Sequence, residues 1–556
     1  MKKLLLIPLI LMLAFSLVIG SCGEPEETTT APPPTTTTTA PPPTTTTTGP
    51  PPTTTTTTAP PPTTAPPMAP TGTIVVANTD FSYESTDPIY FESFWGWSMY
   101  DALITWAPNG DYIGSVAYDW TISEDGNTFT FFIRDDIVFH NGDPLTAHDV
   151  KFSVDRFASP ESTNPWSPYL GANMRSTAVI DDYTFVYRTN TPEPPLLIPF
   201  AWTRIIPKDY FEEVGQDEFR ANPVGSGPWK FVEHTPETSF TMEAFTEHWR
   251  TVPEFKTVQF IQVPEEATRI ALLETGEADI VDGIQSDRIV ELKAEGWRAE
   301  QYGLPGLYNI SFVGTGLSDG PTSDIRVRKA MSHAVNRQEL SDTYYEGLAE
   351  PGGRWFMHEA TWGWDPAWQP DAYDPALAAS LLADAGYPGA FADPTIKYFV
   401  SPGPGVDLAQ VMQGYWSAVG IDVQIEIIDA VEWGGFFFVR QTDPNSPAVG
   451  GIFPWTFGSV FDNIYHSANM YRNTGVHTTG FDPMATQLYD EAVAILDDDL
   501  RQAAWTAFQN YVYDEMFVNC PFVVVEAPFM MSDKVGEVSE NQHLSVYDAF
   551  AGMKHP

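Results

Sequence analysis

The hydrophobic and polar positions change their period along the chain, which predicts that β-strands alternate with α-helices. Residues Thr73 to Ala77 are mostly β-branched and predict a strand. Residues Phe129 to Ile133 continue this pattern after a polar turn at 123–127. Farther along, apolar residues at helical spacing predict a helix that begins after Asp324, its N-cap. The apolar positions of this helix are Val327, Ala330, Met331, Ala334 and Val335.

Two later helices also have recognisable ends. Asp374 caps the first of them, Pro375 occupies its first turn, and Gly386 is a C-terminal stop signal. The second runs from about 406 to 419 and leads into a strand over 421–428. Helices that alternate with strands in this way indicate crossover units packed on sheets. The predicted fold class is therefore α/β.

The first 21 residues, 1–21, have the pattern of a secretory signal peptide. Lys2 and Lys3 precede an apolar stretch from Leu4 to Ile19, which is too short to span a bilayer comfortably. The following Gly20-Ser21-Cys22 resembles the end of a bacterial lipobox, which predicts cleavage before Cys22 and lipidation of that cysteine. Two acyl chains give stable anchoring to a membrane. The alternative is a plain secretory signal with a cysteine at this position by chance.

Residues 22–71 hold the lipidated cysteine and a tract rich in threonine and proline, in which Ala-Pro-Pro-Pro and runs of threonine recur. Such a tract lacks the side chains needed for a core and favours extended polyproline II conformations. We expect a disordered tether, the alternative being a ligand for proline-binding modules. No later segment has 18 consecutive apolar residues. Cys520 has no partner after lipidation of Cys22, so no intrachain disulfide is expected.

The charge of the chain is strongly acidic, with a formal net charge of −45. This balance argues against nucleic acid or anionic lipid as a partner. Two explanations stay open, a solvated acidic surface or attraction of cationic ligands. The chain also has 17 tryptophans, which is many for a folded part of this size.

Patterns of catalysis and metal binding are weak. Gly225-Ser226-Gly227 lacks the spacing of a nucleophile elbow, and no second histidine follows His358-Glu359 at zinc-protease spacing. The histidines show no paired ligand spacing. We therefore expect no enzyme activity, no metal and no cofactor, although paired carboxylates stay open among 73 acidic residues.

Six short motifs follow one another along the folded part. They are Asp87-Pro88 with Tyr100–Leu103, Trp120–Phe157, Pro223–Trp229, Ala271–Ile280, Asp324–Arg337 and Tyr373–Tyr387. In this order and spacing they resemble the family 5 extracellular solute-binding proteins of ABC transporters, which bind oligopeptides, dipeptides and nickel chelates. The motifs also have a physical basis of their own, since Gly225 and Gly227 allow a tight backbone turn.

The resemblance implies a two-lobed periplasmic-binding-protein fold with a hinge and an extra inserted region, a class with three domains. Lobe I would comprise 72–105, 222–303 and 521–556, the inserted domain 106–221, and lobe II 304–520. The family also implies a function, as a substrate-binding lipoprotein that delivers a small-molecule or peptide-like ligand to the permease subunits of an ABC importer. The protein would act as a monomer, lipid-anchored in the periplasm or on the outer face of the cell membrane.

Aromatic and polar side chains near the lobe junctions are the candidate ligand-binding residues. They are Phe81, Tyr83, Trp95, Trp97, Tyr308, Asn309, Trp355, Trp455, Thr456 and Phe457. For each of them packing in the core is the alternative, because a large rigid ring suits either role.

One departure from the family pattern bears on the ligand. Peptide-binding members hold the ligand's α-amino group with an aspartate shortly after a tryptophan. Aligned on Trp455, that aspartate would fall at Phe457 or Gly458, and the next carboxylate is Asp462. We therefore expect an uncharged or aromatic-stacking ligand, such as a glycoside or a blocked peptide, rather than peptides with a free N-terminus.

Two other functions stay open. The Thr/Pro-rich linker and the tryptophans would also suit a secreted carbohydrate-active enzyme. The same binding fold would also suit a surface sensing or adhesion module.

Overall fold

The computed structural model describes most of the chain after its N-terminal tract. The described residues are 69–81, 84–90, 95–107, 111–164, 166–193, 196–301, 306–353, 362–389, 391, 395–402, 405–437, 443–458, 464–471, 482–525, 528–536 and 552–556. The signal peptide, Cys22 and nearly all of the tether lie outside them. Among the described residues, no helix has both the length and the apolar character needed to cross a membrane.

Among the described residues, the first sheet contains seven strands. In spatial order they are β12 (Arg298–Glu300), β19 (Phe529–Met531), β11 (Ile280–Val281), β1 (Thr73–Asn78), β10 (Thr257–Gln262), β9 (Ser239–Ala244) and β8 (Trp229–Thr235). Strand β1 confirms the first predicted strand and pairs in parallel with both β10 and β11. The carboxyl ends of these three strands therefore share one edge of the sheet.

The second sheet contains six strands in the part of the chain that the structure describes. In spatial order they are β14 (Ala349–Pro351), β18 (Asn519–Val525), β13 (Gly306–Phe312), β17 (Ile452–Gly458), β15 (Ile396–Val400) and β16 (Val423–Ile427). Strand β15 is parallel to both β16 and β17, whereas β13 is antiparallel to β17 and β18.

A region in which all the strands are antiparallel lies between β1 and β8 along the chain. Its four-stranded sheet has the order β4 (Ala117–Ile122), β5 (Thr128–Ile133), β7 (Thr184–Thr189) and β6 (Met174–Asp181). The hairpin of β2 (Ile104–Trp106) and β3 (Tyr112–Gly114) precedes it. Strand β5 confirms the second predicted strand.

Helices precede, separate and follow these strands along the described chain. They are α1 (Gly96–Met99), α2 (Ala147–Phe157), α3 (Ser167–Asn173), α4 (Leu197–Trp202), α5 (Lys208–Val214), α6 (Gln216–Ala221), α7 (Glu266–Thr275), α8 (Ser286–Glu295), α9 (Ile325–His333), α10 (Arg337–Thr343), α11 (Pro375–Asp384), α12 (Gly405–Ala418), α13 (Ala430–Phe437), α14 (Ile464–Tyr471), α15 (Pro483–Val493) and α16 (Asp498–Tyr511).

The predicted helix caps are confirmed. The carboxylate of Asp324 accepts from the backbone N–H of Arg326 at the start of α9. Asp374 does the same for Leu377 at the start of α11, and Gly386 follows that helix with a positive φ of 97°. These side chains satisfy amide groups that the first turn of a helix leaves without partners.

The described strands show two places at which the chain passes between the two large sheets. Strand β12 of the first sheet precedes β13 of the second, and β18 of the second precedes β19 of the first. The predicted boundary of lobe I at 521 falls inside β18. Residues 521–525 are part of this strand and pair with β13 rather than with the first sheet. The other lobe boundaries stay a prediction.

Candidate functional site

The central strand of the second sheet has two different faces. Tyr308, Ile310 and Phe312 pack into the apolar core that the sheet forms with helices α9–α12. Successive side chains of a strand point to opposite faces, so Asn309 and Ser311 share the other face. Both are fully buried there.

Trp455 lies beside these two residues on the neighbouring strand β17. The register pairs Trp455 with Asn309, whose side-chain Nδ2 donates to the Trp455 carbonyl oxygen over 2.9 Å. The indole Nε1 of Trp455 donates to Ser311 Oγ, also over 2.9 Å. The ring is only partly buried, and it packs against two apolar clusters. Trp455 therefore combines a fixed orientation with remaining accessible surface.

One of these clusters joins the inserted region to the helices of the second half of the chain. It contains Phe131 of β5 and Phe200 of α4 together with Tyr489 of α15 and Trp505 of α16. Partly buried tryptophans from several regions pack against it. They are Trp120, Trp202, Trp249, Trp362, Trp364 and Trp455. Large, partly exposed aromatic rings are typical of small-molecule sites. We call these six residues the tryptophan cluster and take it as the candidate ligand site.

The predicted site residues divide into three groups. Phe81, Trp95 and Tyr308 are almost fully buried. Trp95 stacks on Phe240 with ring centroids 4.2 Å apart, and the hydroxyl of Tyr308 lies 2.7 Å from that of Tyr398. These three residues therefore pack in the core of this structure, which is the alternative to ligand contact.

The second group lies at the candidate site. Asn309 and Trp455 contact each other, and Thr456 is exposed on the same strand as Trp455. The third group lies outside what the structure describes. It comprises Tyr83 and Trp355, the side chains of Trp97 and Phe457, and also Asp462. Ligand contact by any of the ten residues stays a prediction.

A buried polar centre supports Trp249 of the tryptophan cluster. Asp101 Oδ2 accepts from the indole Nε1 of Trp249 over 3.2 Å and from Ser226 Oγ over 3.0 Å. Asp101 Oδ1 lies 3.5 Å from His248 Nε2 and 3.8 Å from the Arg250 guanidinium. Burial alone would raise the pKa of Asp101, but His248, Arg250 and Trp249 together lower it to about 2. This carboxylate is therefore ionised and joins three segments of the chain.

His140 contacts the turn at 225–227, which also carries Ser226 of this polar centre. Its Nδ1 accepts from the backbone N–H of Gly225 over 3.2 Å, so the ring proton lies on Nε2, which faces the Gly227 carbonyl oxygen at 2.8 Å. Burial lowers the pKa of His140 to about 4. The imidazole is therefore neutral near pH 7.

Five of the six tryptophans, Trp120, Trp202, Trp249, Trp362 and Trp364, are not among the site residues predicted from the sequence. The high tryptophan content was the available signal, but it could not show which rings pack against the same core. Within the described residues, no group of three or more His, Cys, Asp or Glu side chains could hold a metal ion.

Comparison with known families identifies the chain. The model of the bacterial extracellular solute-binding proteins, family 5 middle region, matches residues 111–481. The chain belongs to this family. Family 5 consists of solute-binding proteins rather than enzymes.

Family 5 relatives show moderate identity. The dipeptide-binding protein of Escherichia coli (strain K12) is 26% identical over 356 residues, which cover 59% of this chain and 64% of that protein. The chain therefore matches just under two thirds of that relative's length. The glutathione-binding protein GsiB of Salmonella typhimurium is 26% identical over 374 residues, 66% of this chain and 71% of that protein.

Solved structures of the same architecture agree with the fold. DppA from Helicobacter pylori, in complex with the peptide STSA, has a TM-score of 0.74 at 20% identity and covers 87% of this chain and 98% of its own. NikA from Brucella suis, in complex with Fe(III)-EDTA, has a TM-score of 0.74 at 21% identity, with coverage of 86% and 100%. The predicted two-lobed periplasmic-binding-protein fold is confirmed.

Proposed function

We propose that this protein is an extracytoplasmic substrate-binding lipoprotein of an ABC importer. It captures a small solute between its two lobes and delivers it to the permease subunits, acting as a monomer. The family 5 match over residues 111–481 carries this proposal. The tryptophan cluster supports it, because partly buried rings from the inserted region and from the second sheet pack against one apolar core. Relatives named for dipeptide, glutathione and nickel binding indicate ligands of small size.

The ligand is proposed to be uncharged or to stack on aromatic rings, as a glycoside or a blocked peptide would. Strand β17 continues from Trp455 through Thr456 and Phe457 to Gly458, so it offers no carboxylate to a ligand ammonium group. A buried charge without its partner typically costs several kcal/mol. Half-buried rings instead favour the apolar faces of sugars and aromatic groups.

Two measurements test this function. Mass spectrometry of the natively purified protein identifies the compound that co-purifies with it. Calorimetry then compares a mixed tripeptide library, the same library after N-acetylation, and a set of oligosaccharides. We expect binding of oligosaccharides or of acetylated peptides. Binding of free peptides that N-acetylation abolishes would contradict the ligand class, and no binding to any compound would count against the receptor function.

The proposed lipid anchor at Cys22 is tested separately. The Cys22→Ala variant should stay unprocessed or be released into the medium, because the thiol that carries the acyl chains is missing. Membrane fractionation and N-terminal mass analysis measure this. Wild-type protein that is soluble and has an unmodified N-terminus would contradict anchoring. Cys520→Ala is the control, because Cys520 is buried in β18 and lies far from the signal sequence in the chain.

A further inference from the structure

A set of three polar side chains lies buried on strands β13 and β18, close to Trp455. Asn309 and Ser311 are fully buried on β13, and Asn519 of β18 is 7% exposed. Burying such groups is unfavourable unless their hydrogen bonds are satisfied. The neighbouring positions of β13 are apolar and pack into a core, so an apolar residue would fit the strand pattern equally well. The polar residues therefore call for a reason at this place.

Their hydrogen bonds form a chain that begins at Trp455. The indole N–H of Trp455 donates to Ser311 Oγ over 2.9 Å, and the Ser311 hydroxyl donates to Asn519 Oδ1. Asn519 Nδ2 then donates to the hydroxyl of Tyr471 over 2.6 Å. Each group uses its donor in the same direction, so the arrangement is self-consistent. Asn309 holds the other end of the residue through the Trp455 carbonyl oxygen.

We infer that Ser311, Asn519 and Asn309 are positioning residues that fix the Trp455 ring at the candidate ligand site. The hydrogen bond of the indole nitrogen restricts rotation of the ring, and the hydrogen bond of the carbonyl oxygen holds the backbone that carries it. A ring held in one orientation loses less conformational entropy when it contacts a ligand. The value of this positioning for ligand capture rests on the proposed function.

The strands that carry these hydrogen bonds lie next to the places where the chain passes between the two large sheets. Strand β13 follows one of the two places where the chain passes between the sheets, and β18 precedes the other. The orientation of Trp455 is thereby tied to the strands next to both crossings. Asn309 changes its role accordingly, from a predicted ligand contact to a residue that acts through Trp455.

Fluorine NMR of the full chain labelled with 5-fluorotryptophan tests this inference without any ligand. The Trp455→Phe variant assigns the Trp455 resonance by its disappearance. In Ser311→Ala the indole N–H loses its acceptor, so we expect the Trp455 resonance to shift and broaden. In Ser311→Thr the hydroxyl is kept, and we expect the resonance to return close to its wild-type position.

Ser341→Ala is the matched control, because Ser341 is also buried in the second half of the chain but donates to the Ala349 carbonyl oxygen. It should leave the Trp455 resonance unchanged. An unchanged resonance in Ser311→Ala, or an equal shift in Ser341→Ala, overturns the inference. These outcomes differ from a failure of the proposed function, which would appear as absent binding in calorimetry with a normal Trp455 resonance.

Discussion

The imidazole of His140 has both ring nitrogens engaged by the backbone of one turn. Its Nδ1 accepts from Gly225, which a protonated ring could not do, and burial lowers its pKa from 6.5 to about 4. Between these two values the unfolded chain binds a proton that the folded chain does not. The stability contributed by the neutral ring is therefore complete above pH 6.5 and is lost as the pH falls towards 4.

Replacing this ring should change the pH dependence of stability. We expect His140→Gln to be less stable than wild type near pH 7 but to lose less stability between pH 6.5 and 4, by about 3 kcal/mol. Urea unfolding at several pH values measures both effects. His148→Gln is the control for replacing a histidine ring that is exposed. A wild-type loss in His140→Gln would contradict this assignment.

Single residues also show where sequence reasoning reached its limit. Trp455 and Asn309 were selected from the sequence, and they do contact each other. Phe81 and Trp95 were selected for the same reasons, yet they lie in a core. A large ring suits both places. Only contacts between distant strands decide which place a given ring occupies, and those contacts leave no local pattern.

At the scale of elements, the turn at 225–227 packs directly on the end of α1. A Cβ atom added to Gly225 would lie 2.0 Å from the Met99 carbonyl oxygen, and one added to Gly227 would lie 2.5 Å from that of Ser98. The Gly227 N–H donates to the Met99 carbonyl oxygen over 2.9 Å. These glycines are therefore required for close approach of two backbones, in agreement with the tight turn that the sequence indicates.

Two glycine substitutions should have opposite signs. Gly225→Ala forces backbone atoms apart, and we expect it to destabilise the fold by about 3 kcal/mol or more. Gly414→Ala lies inside helix α12 with open space around the added methyl group, and we expect it to stabilise the fold by about 0.5–1 kcal/mol. Chemical denaturation measures both. Equal stability of the two variants would be inconsistent with this packing.

Signals from neighbouring residues predicted helices and their caps well. They did not predict which strands pair when the strands are far apart in the chain. The caps at Asp324 and Asp374 are formed by residues two or three positions from their partners. Strand β18 pairs with β13, about 200 residues earlier in the chain. Nothing near residues 519–525 indicates which sheet they join, and the predicted boundary at 521 falls inside β18.

At the scale of the whole molecule, like charges oppose compaction. The net charge of −45 arises from 73 acidic and 28 basic residues. Screening shortens from about 10 Å at about 0.1 M salt to about 3 Å at about 1 M. We therefore expect the melting temperature to rise over this range of NaCl, because self-repulsion destabilises the folded state. Calorimetric scans measure this, with a neutral osmolyte as the control. A constant or falling melting temperature in NaCl would rule out charge repulsion as a major term.

Closure of the two lobes is the largest change expected of this molecule. A ligand that contacts both lobes binds the closed state more tightly than the open state, and so shifts the population towards it. Small-angle scattering of residues 72–556 should therefore give a smaller radius of gyration once the compound identified by mass spectrometry is added. The protein must first be freed of co-purified ligand by unfolding and refolding. A compound that calorimetry shows not to bind is the control and should leave the radius unchanged. An unchanged radius at saturating ligand, with binding verified by calorimetry, would mean that capture occurs without closure.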